Sequence, residues 1–139
     1  MQNNYQDEIS SLDKFNVQNS AQIHVYVEPS YLESKSKVGQ YTFAYKVFLE
    51  NIGDIAAQVI ARHWIITDAN NNQQEIKGLG IIGEQPLLQP GQKYEYTSTT
   101  VLSTTIGTMK GTYLCITENG ELFPTTIREF TLALPRVLH

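Results

Sequence analysis

Apolar and polar residues alternate along several stretches of this chain, and that period of two constrains the fold more than any other feature. The clearest stretch is Tyr41–Asn51, where every odd position from Tyr41 to Leu49 is aromatic or aliphatic. Successive side chains of a strand point to opposite faces, so this stretch predicts a strand with one buried face. Charged residues make up only 17% of the chain and aromatic residues 10%, a balance that suits half-buried pleated surfaces.

The same alternation, interrupted by turn residues, predicts about seven strands. Pro29 is expected to end the first of them, 68–72 to form a hairpin turn, and Asn119 with Gly120 to form a type I′ turn. No stretch shows a helical period, and parallel strands would need crossover helices. We therefore predict an all-β fold, an antiparallel immunoglobulin-like or fibronectin type III-like β-sandwich. The predicted strands are residues 22–28, 41–51, 58–67, 73–77, 93–102, 107–117 and 121–134.

Three single residues fit this prediction. Trp64 falls in the middle of a strand, where such sandwiches bury an aromatic ring, and Tyr113 falls where a tyrosine corner would lie. Cys115 is the chain's one cysteine, which excludes an intrachain disulfide and a zinc site built on cysteines. Its apolar neighbours predict a small buried hydrophobic residue, because a nucleophilic thiol needs a lowered pKa and a nearby base.

Length and charge narrow the class of protein. A chain of 139 residues is enough for one domain, which we place at 22–139, behind a polar, flexible N-terminal tail at 1–21. Ile9, Leu12 and Phe15 recur every third residue, so the alternative is a short amphipathic turn that docks on a partner or on the domain itself. The net charge of −4 argues against nucleic-acid binding. No secretory signal or membrane-spanning run is visible, and we expect a cytoplasmic protein with no membrane insertion.

The sharpest local motif is the GxGxxG pattern at residues 78–83. In a dinucleotide-binding domain this pattern precedes a helix, but Pro86 and Pro90 prevent one here, and the acidic residue expected about 20 positions later is missing. The glycines are therefore expected to serve turns and a bulge. The alternative is a nest of backbone N–H groups that binds a small anion. Its candidate residues are Lys77, Gly78, Gly80 and Gly83.

Other constellations give little support for chemistry. His24, Tyr26 and Glu28 share one strand face, but alternating polar residues on a solvated face look the same, so we predict no metal site and no cofactor. Arg62 shares a face with Trp64 and could stack on an aromatic ring or pair with a carboxylate. No nucleophile motif and no pair of acidic residues stands out, so we predict no catalytic residues and a protein that is not an enzyme.

Several segments, in the same order, resemble the ApaG (CorD) family, and the resemblance covers residues 22–139. The glycine-rich segment of the family corresponds to Gly78, Gly80 and Gly83, and its turn after the third strand to 67–71. The segments are VEPSYL (27–32), YTFAYKVFLENIG (41–53), RHWIITDANN (62–71), GLGIIGEQPLLQPG (78–91), YEYTSTTVLSTTIGTMKGTY (94–113) and LALPRVLH (132–139).

The resemblance implies a fibronectin type III-like sandwich and a binding role rather than a known activity. Members of the family are linked genetically to cobalt tolerance and magnesium efflux, and the domain is joined to F-box proteins in eukaryotes, which implies protein–protein interaction. Three hypotheses follow: a module that binds a protein partner, a small-anion sensor for pyrophosphate or a nucleotide, and direct binding of Mg²⁺ or Co²⁺. The third has no ligand set of recognisable spacing in this sequence. The partner and the oligomeric state stay open.

Overall fold

The computed structural model describes residues 21–136, so the predicted amphipathic segment of the tail lies outside the described residues. Within that range the regular structure is β, apart from one short 3-10 turn, Glu33–Lys35. Nothing in residues 21–136 forms a helix with the length and apolarity that a membrane crossing demands. The strands are β1 (Ile23–Tyr31), β2 (Tyr41–Asn51), β3 (Ala57–Asp68), β4 (Gln73–Leu79), β5 (Leu87–Leu88), β6 (Lys93–Leu102), β7 (Ile106–Thr117) and β8 (Leu122–Ala133).

Two antiparallel sheets pack face to face. The three-stranded sheet has the order β1-β2-β6, and the five-stranded sheet has the order β4-β3-β7-β8, with the short β5 paired to the start of β3. The predicted all-β sandwich is therefore confirmed, with eight strands rather than about seven, because β5 is too short to show a period of its own. As its continuous apolar run predicts, β3 is a central strand, flanked by β4 and β7.

The core lies between the sheets and is centred on Trp64, which is 1% exposed. Its ring meets the rings of Tyr45, Tyr113 and Phe130 in edge-to-face geometry, with centroids 5.3, 6.2 and 6.1 Å away. Such pairs add roughly 0.5–1.5 kcal/mol each beyond the burial of apolar area. The odd positions of β2 point into this core as predicted. Cys115 is fully buried and burial raises the pKa of its thiol, which confirms its role as a small core residue.

The prediction that Pro29 ends the first strand is wrong, because β1 continues to Tyr31. Leu32 N donates to Thr42 O at 2.9 Å, which places the even-numbered residues of this segment opposite β2 in hydrogen-bonding positions. The odd-numbered residues, Pro29 among them, turn their backbone groups away from β2. A proline there removes no ladder hydrogen bond, so the strand runs through it.

Of the two predicted hairpin turns, one is confirmed and one differs in type. Asn71 has a φ of 63° and Asp68 N donates to Asn72 O at 3.0 Å, which closes the turn at 68–72. After β7, only Gly120 has a positive φ, while a type I′ turn needs Asn119 there as well. The turn therefore reverses the chain through a right-handed pair followed by glycine, an arrangement that forms a bulge instead of a two-residue loop.

Candidate functional site

The glycine motif folds as a tight turn at the end of β4. Ile82 and Gly83 both have positive φ, 40° and 80°, and the flanking residues exchange backbone hydrogen bonds, with Glu84 N to Ile81 O at 2.9 Å and Ile81 N to Glu84 O at 2.6 Å. Two left-handed residues between paired neighbours make a type I′ turn. Gly80 has a φ of 61°. The expectation that the glycines serve turns is therefore confirmed for Gly80 and Gly83, whereas Gly78 lies within β4, which pairs with β3 without a bulge.

Arg62 fastens this loop to β3. Its Nη1 donates to Leu79 O at 2.8 Å and to Gly80 O at 3.2 Å. The register pairs Arg62 with Gly78, and a Cβ on Gly78 would lie within 3.0 Å of three guanidinium atoms. The guanidinium thus occupies the space that a side chain at Gly78 would need. The sequence left open an aromatic ring or a carboxylate as the partner of Arg62. Among the described residues its hydrogen bonds go to two backbone carbonyls instead, and none of the ion pairs includes it.

The structure does not bring the four candidate anion-binding residues together. Gly78 faces the other sheet with Arg62, whereas Lys77 points to the outer face, with its Nζ 3.9 Å from Glu75 Oε2. The amides of Gly80, Ile81 and Glu84 donate to backbone carbonyls of the protein. Gly83 lies at the exposed tip of the turn. The donors that an anion nest would use are thus partly committed to the fold.

A group of tyrosines lies next to the loop on the inner side. Tyr94 OH donates to Glu84 Oε2 at 2.7 Å, and the hydroxyls of Tyr96 and Tyr113 share a short hydrogen bond. Burial raises the pKa of Tyr96 to about 12 and also raises the pKa of Tyr113. Tyr113 sits in the middle of β7 and bonds to a side chain, so the predicted tyrosine corner is wrong. The alternation of β7 already placed Tyr113 on the same side as Cys115, which indicates a core position.

The outer face of the five-stranded sheet exposes large apolar side chains near the same loop. Leu79 is paired through Ala61 with Leu114, and Leu122 is paired with Ile116 in the neighbouring row. We call Leu79, Leu87, Leu114 and Leu122 the apolar face; they are 77%, 52%, 36% and 61% exposed. Sequence reasoning missed this face because Leu79 and Leu87 fall in a stretch expected to be irregular. The sequence did offer one sign of this face: Leu114 is an apolar residue on the side of β7 that alternation assigns to solvent.

The predicted metal candidates give no cluster. His24, Tyr26 and Glu28 all lie on β1 and face outward. No group of three or more His, Cys, Asp or Glu side chains within residues 21–136 is close enough to hold a metal ion. His63, on the outer face of β3, has Nε2 3.7 Å from Glu75 Oε2. A single contact between side chains that are 36% and 54% exposed is typical of the outer face of a sheet.

Fold and loop together define a small antiparallel β-sandwich domain whose glycine-rich turn is held by an arginine of the neighbouring strand. The family profile described as the ApaG domain matches residues 31–117. The chain is 51% identical over 120 residues to Protein ApaG of Thiobacillus denitrificans, covering 85% of this chain and 94% of the relative. It is 54% identical over 117 residues to Protein ApaG of Bordetella pertussis, covering 83% of this chain and 89% of the relative. The chain belongs to the ApaG family.

A solved structure agrees with this assignment. The crystal structure described as that of the ApaA protein from Bordetella pertussis superimposes with a TM-score of 0.82 at 51% sequence identity, covering 84% of this chain and 97% of that chain. The family resemblance drawn from the sequence motifs is therefore confirmed, together with the sandwich fold.

Proposed function

We propose that this chain is a non-enzymatic binding module that recognises a protein partner. The observation that carries the proposal is the apolar face, where Leu79, Leu87, Leu114 and Leu122 are exposed on one side of a rigid sheet. Clusters of exposed apolar side chains on soluble domains mark interaction surfaces more often than single ones do. A sheet face also holds its side chains in fixed positions, which lowers the entropy cost of binding.

The effect on cobalt tolerance and magnesium efflux to which the family is linked would then be exerted through the partner. On this proposal the chain binds no cation itself, and the phenotype arises because it contacts a protein that transports or senses the cations. Calorimetry with Mg²⁺ and Co²⁺ tests this point directly. Heat of binding with either ion would assign the effect to the chain itself and contradict the proposal.

Affinity purification of the tagged chain from its own cells, followed by mass spectrometry, tests the module. We expect a stoichiometric partner that is retained by the wild-type chain and lost by the double variant Leu79→Glu/Leu122→Glu, because two carboxylates would have to be buried in the contact. Val38→Glu is the matched control, since Val38 is 94% exposed in a loop. A chain that repeatedly emerges with no stoichiometric partner would overturn the proposal.

Small-anion binding is the second candidate, and Arg62 is the observation in its favour. None of the ion pairs between described residues includes Arg62, so its charge is balanced only by carbonyl oxygens. An NMR titration with pyrophosphate and with a dinucleotide tests it. Shifts confined to the amides of residues 77–86 would support the candidate, and no shift at millimolar ligand would eliminate it.

A further inference from the structure

The strand orders of the two sheets end in β1 and β6 in one sheet and in β4 and β8 in the other, and the two-residue β5 continues the border of β4. Each turns a row of backbone N–H and C=O groups away from its partner strand. Such rows pair readily with any extended chain, and natural sheets block them with proline, charge, bulges or cover. The four borders of this sandwich are blocked to very different degrees.

The borders of β1 and β8 each contain a proline. Pro29 lies on the free side of β1, as described above. Between β7 and β8, Thr117 N donates to Glu121 O at 2.8 Å. The odd-numbered residues of the first half of β8 therefore turn their backbone groups toward β7, and Pro124 lies on the free side. A groove of about 400 Å³ runs where β1 and β8 lie side by side, so each also shields the other.

The border of β4 is short and charged. Asp68 N donates to Asn72 O, so the even-numbered residues of β4 turn their backbone groups toward β3. The backbone groups of Glu75 and Lys77 therefore lie on the free side. Both side chains are exposed. A strand that paired here would have to accommodate adjacent charges of both signs, and Gly78 further weakens the strand.

The border of β6 carries none of these protections over most of its length. The even-numbered residues of β2 exchange backbone hydrogen bonds with β1, so the backbone groups of the odd-numbered residues bond to β6. Val47 pairs with Tyr96, which means that the even-numbered residues of β6 supply the partner groups. The backbone groups of Glu95, Thr97, Thr99 and Val101 therefore point to the free side. The stretch 96–102 contains no proline and no charged residue.

We propose that the free border of β6 binds an extended segment of a partner protein, which adds to the β1-β2-β6 sheet as a further antiparallel strand. The proposal rests on the proposed function and adds to the apolar face a second contact surface, in the other sheet, together with the kind of segment that the partner supplies there. Backbone hydrogen bonds give such a contact its affinity, and the alternating side chains give its specificity. Opposite Thr97 and Thr99, the best-fitting residues are β-branched.

Charge at the two ends of β6 defines the rest of the segment. At one end the Glu84 carboxylate accepts the hydrogen bond of Tyr94 OH. At the other end a cavity of about 230 Å³ between β6 and β4 is lined by Val101 and by Asp68, whose carboxylate is held by turn amides. Both carboxylates lack a cationic partner among the described ion pairs. The partner segment therefore has a basic residue near each end.

One substitution removes the border donor without touching the sheet. Thr99→Pro deletes an N–H that points away from β2, so the β2–β6 ladder stays complete. Thr126→Pro is the matched control, because Thr126 is also exposed and its N–H points to the free side of β8. Both variants should unfold at similar urea concentrations, which shows that any difference in binding comes from the border itself.

The probe is a labelled peptide of alternating threonine and valine with lysine at both ends, and its backbone N-methylated form is the control peptide. With the full chain, we expect binding of the first peptide only, and at least about tenfold slower amide exchange at Glu95, Thr97, Thr99 and Val101 in the complex. Thr99→Pro should weaken binding about tenfold or more, and Thr126→Pro should leave it unchanged. No binding at millimolar peptide, or equal effects of the two prolines, would overturn the proposal.

Two other occupants are outcomes of the same exchange measurement. The border would be assigned to a second copy if these amides were protected in the free chain and if Thr99→Pro both removed the protection and halved the molecular mass in solution. Protection in the free chain that disappears when residues 1–20 are deleted would assign it to the chain's own N-terminal segment. Either result overturns the proposal. A stoichiometric cellular partner that survives Thr99→Pro but is lost in Leu79→Glu/Leu122→Glu would overturn it as well, while the proposed function stands.

Discussion

The guanidinium of Arg62 fills the space in which Gly78 has no side chain: a Cβ at Gly78 would lie 2.8 Å from Nη2 and 2.9 Å from Cζ. From this position Nη1 reaches the carbonyls of Leu79 and Gly80. The glycine is thus required by a neighbouring strand and not by its own backbone conformation. This distinction separates the glycines of the motif and leads to different expectations for each.

Gly78→Ala should displace the Arg62 guanidinium and weaken its two bonds to the loop. Because a long side chain can move aside, we expect a loss of only about 1 kcal/mol in the free energy of unfolding. Urea denaturation measures it. Arg62→Met should cost a similar amount, and the double variant should cost little more than either single change, since both remove the same contact. If the losses of the two single variants added up fully in the double variant, Gly78 and the Arg62 guanidinium would not share a contact.

Gly80→Ala should be far more costly. Its φ is 61°, and a Cβ would meet the backbone oxygen of Glu84 at 2.2 Å, which only a shift of the chain can relieve. We expect a loss of about 3 kcal/mol or more. Gly83→Ala is the matched control, because Gly83 has a φ of 80° with nothing within 4 Å, so only the backbone term of about 1–2 kcal/mol applies. Equal losses in the two variants would show that the contact with Glu84 O is unimportant.

Asn51→Ala should destabilise the start of the β2–β3 connection. The side chain is fully buried, Nδ2 donates to Ile55 O and Leu88 O at 2.8 and 2.9 Å, and Oδ1 accepts from Gly53 N at 2.9 Å. Loss of three bonds leaves one buried and two partly buried backbone groups unpaired, so we expect a cost of about 2–4 kcal/mol. Thermal or urea unfolding measures it. Asn70→Ala, at an exposed turn position, should change stability by less than about 0.5 kcal/mol.

The Tyr96–Tyr113 pair should make stability fall at high pH. Tyrosines in the unfolded chain lose their protons near pH 10, whereas burial keeps the folded pKa of Tyr96 at about 12 and raises that of Tyr113 as well. The folded state therefore binds more protons above pH 10, and the free energy of unfolding decreases by up to about 1.4 kcal/mol per pH unit per tyrosine. The stabilisation is complete below pH 10 and is lost as the pH rises toward 12.

The variant Tyr96→Phe/Tyr113→Phe isolates this contribution. Its urea midpoint should decline less steeply than that of the wild-type chain between pH 10 and pH 12, because it lacks the two buried hydroxyl protons. Replacing both residues avoids leaving one buried hydroxyl without its partner. Identical slopes in the two proteins would show that neither tyrosine contributes.

The sequence by itself determined the class of fold and most of the strands. Where alternation was unbroken and the ends were marked by turn residues, the predicted bounds match the structure, as they do for Tyr41–Asn51 and Lys93–Leu102. The reason is local: a period of two describes one strand and needs no knowledge of its neighbours. The family resemblance also came from local segments and was confirmed by the comparisons.

Only the tertiary structure decided which residues meet. That Arg62 lies against Gly78 depends on the register of β3 and β4, which no single strand encodes. The tolerance of Pro29 in β1 and the open border of β6 depend on which strands are neighbours and which side of each strand faces solvent. A residue's position along its own strand is written in the sequence, but its partners across the sheets are set by the packing of the whole domain.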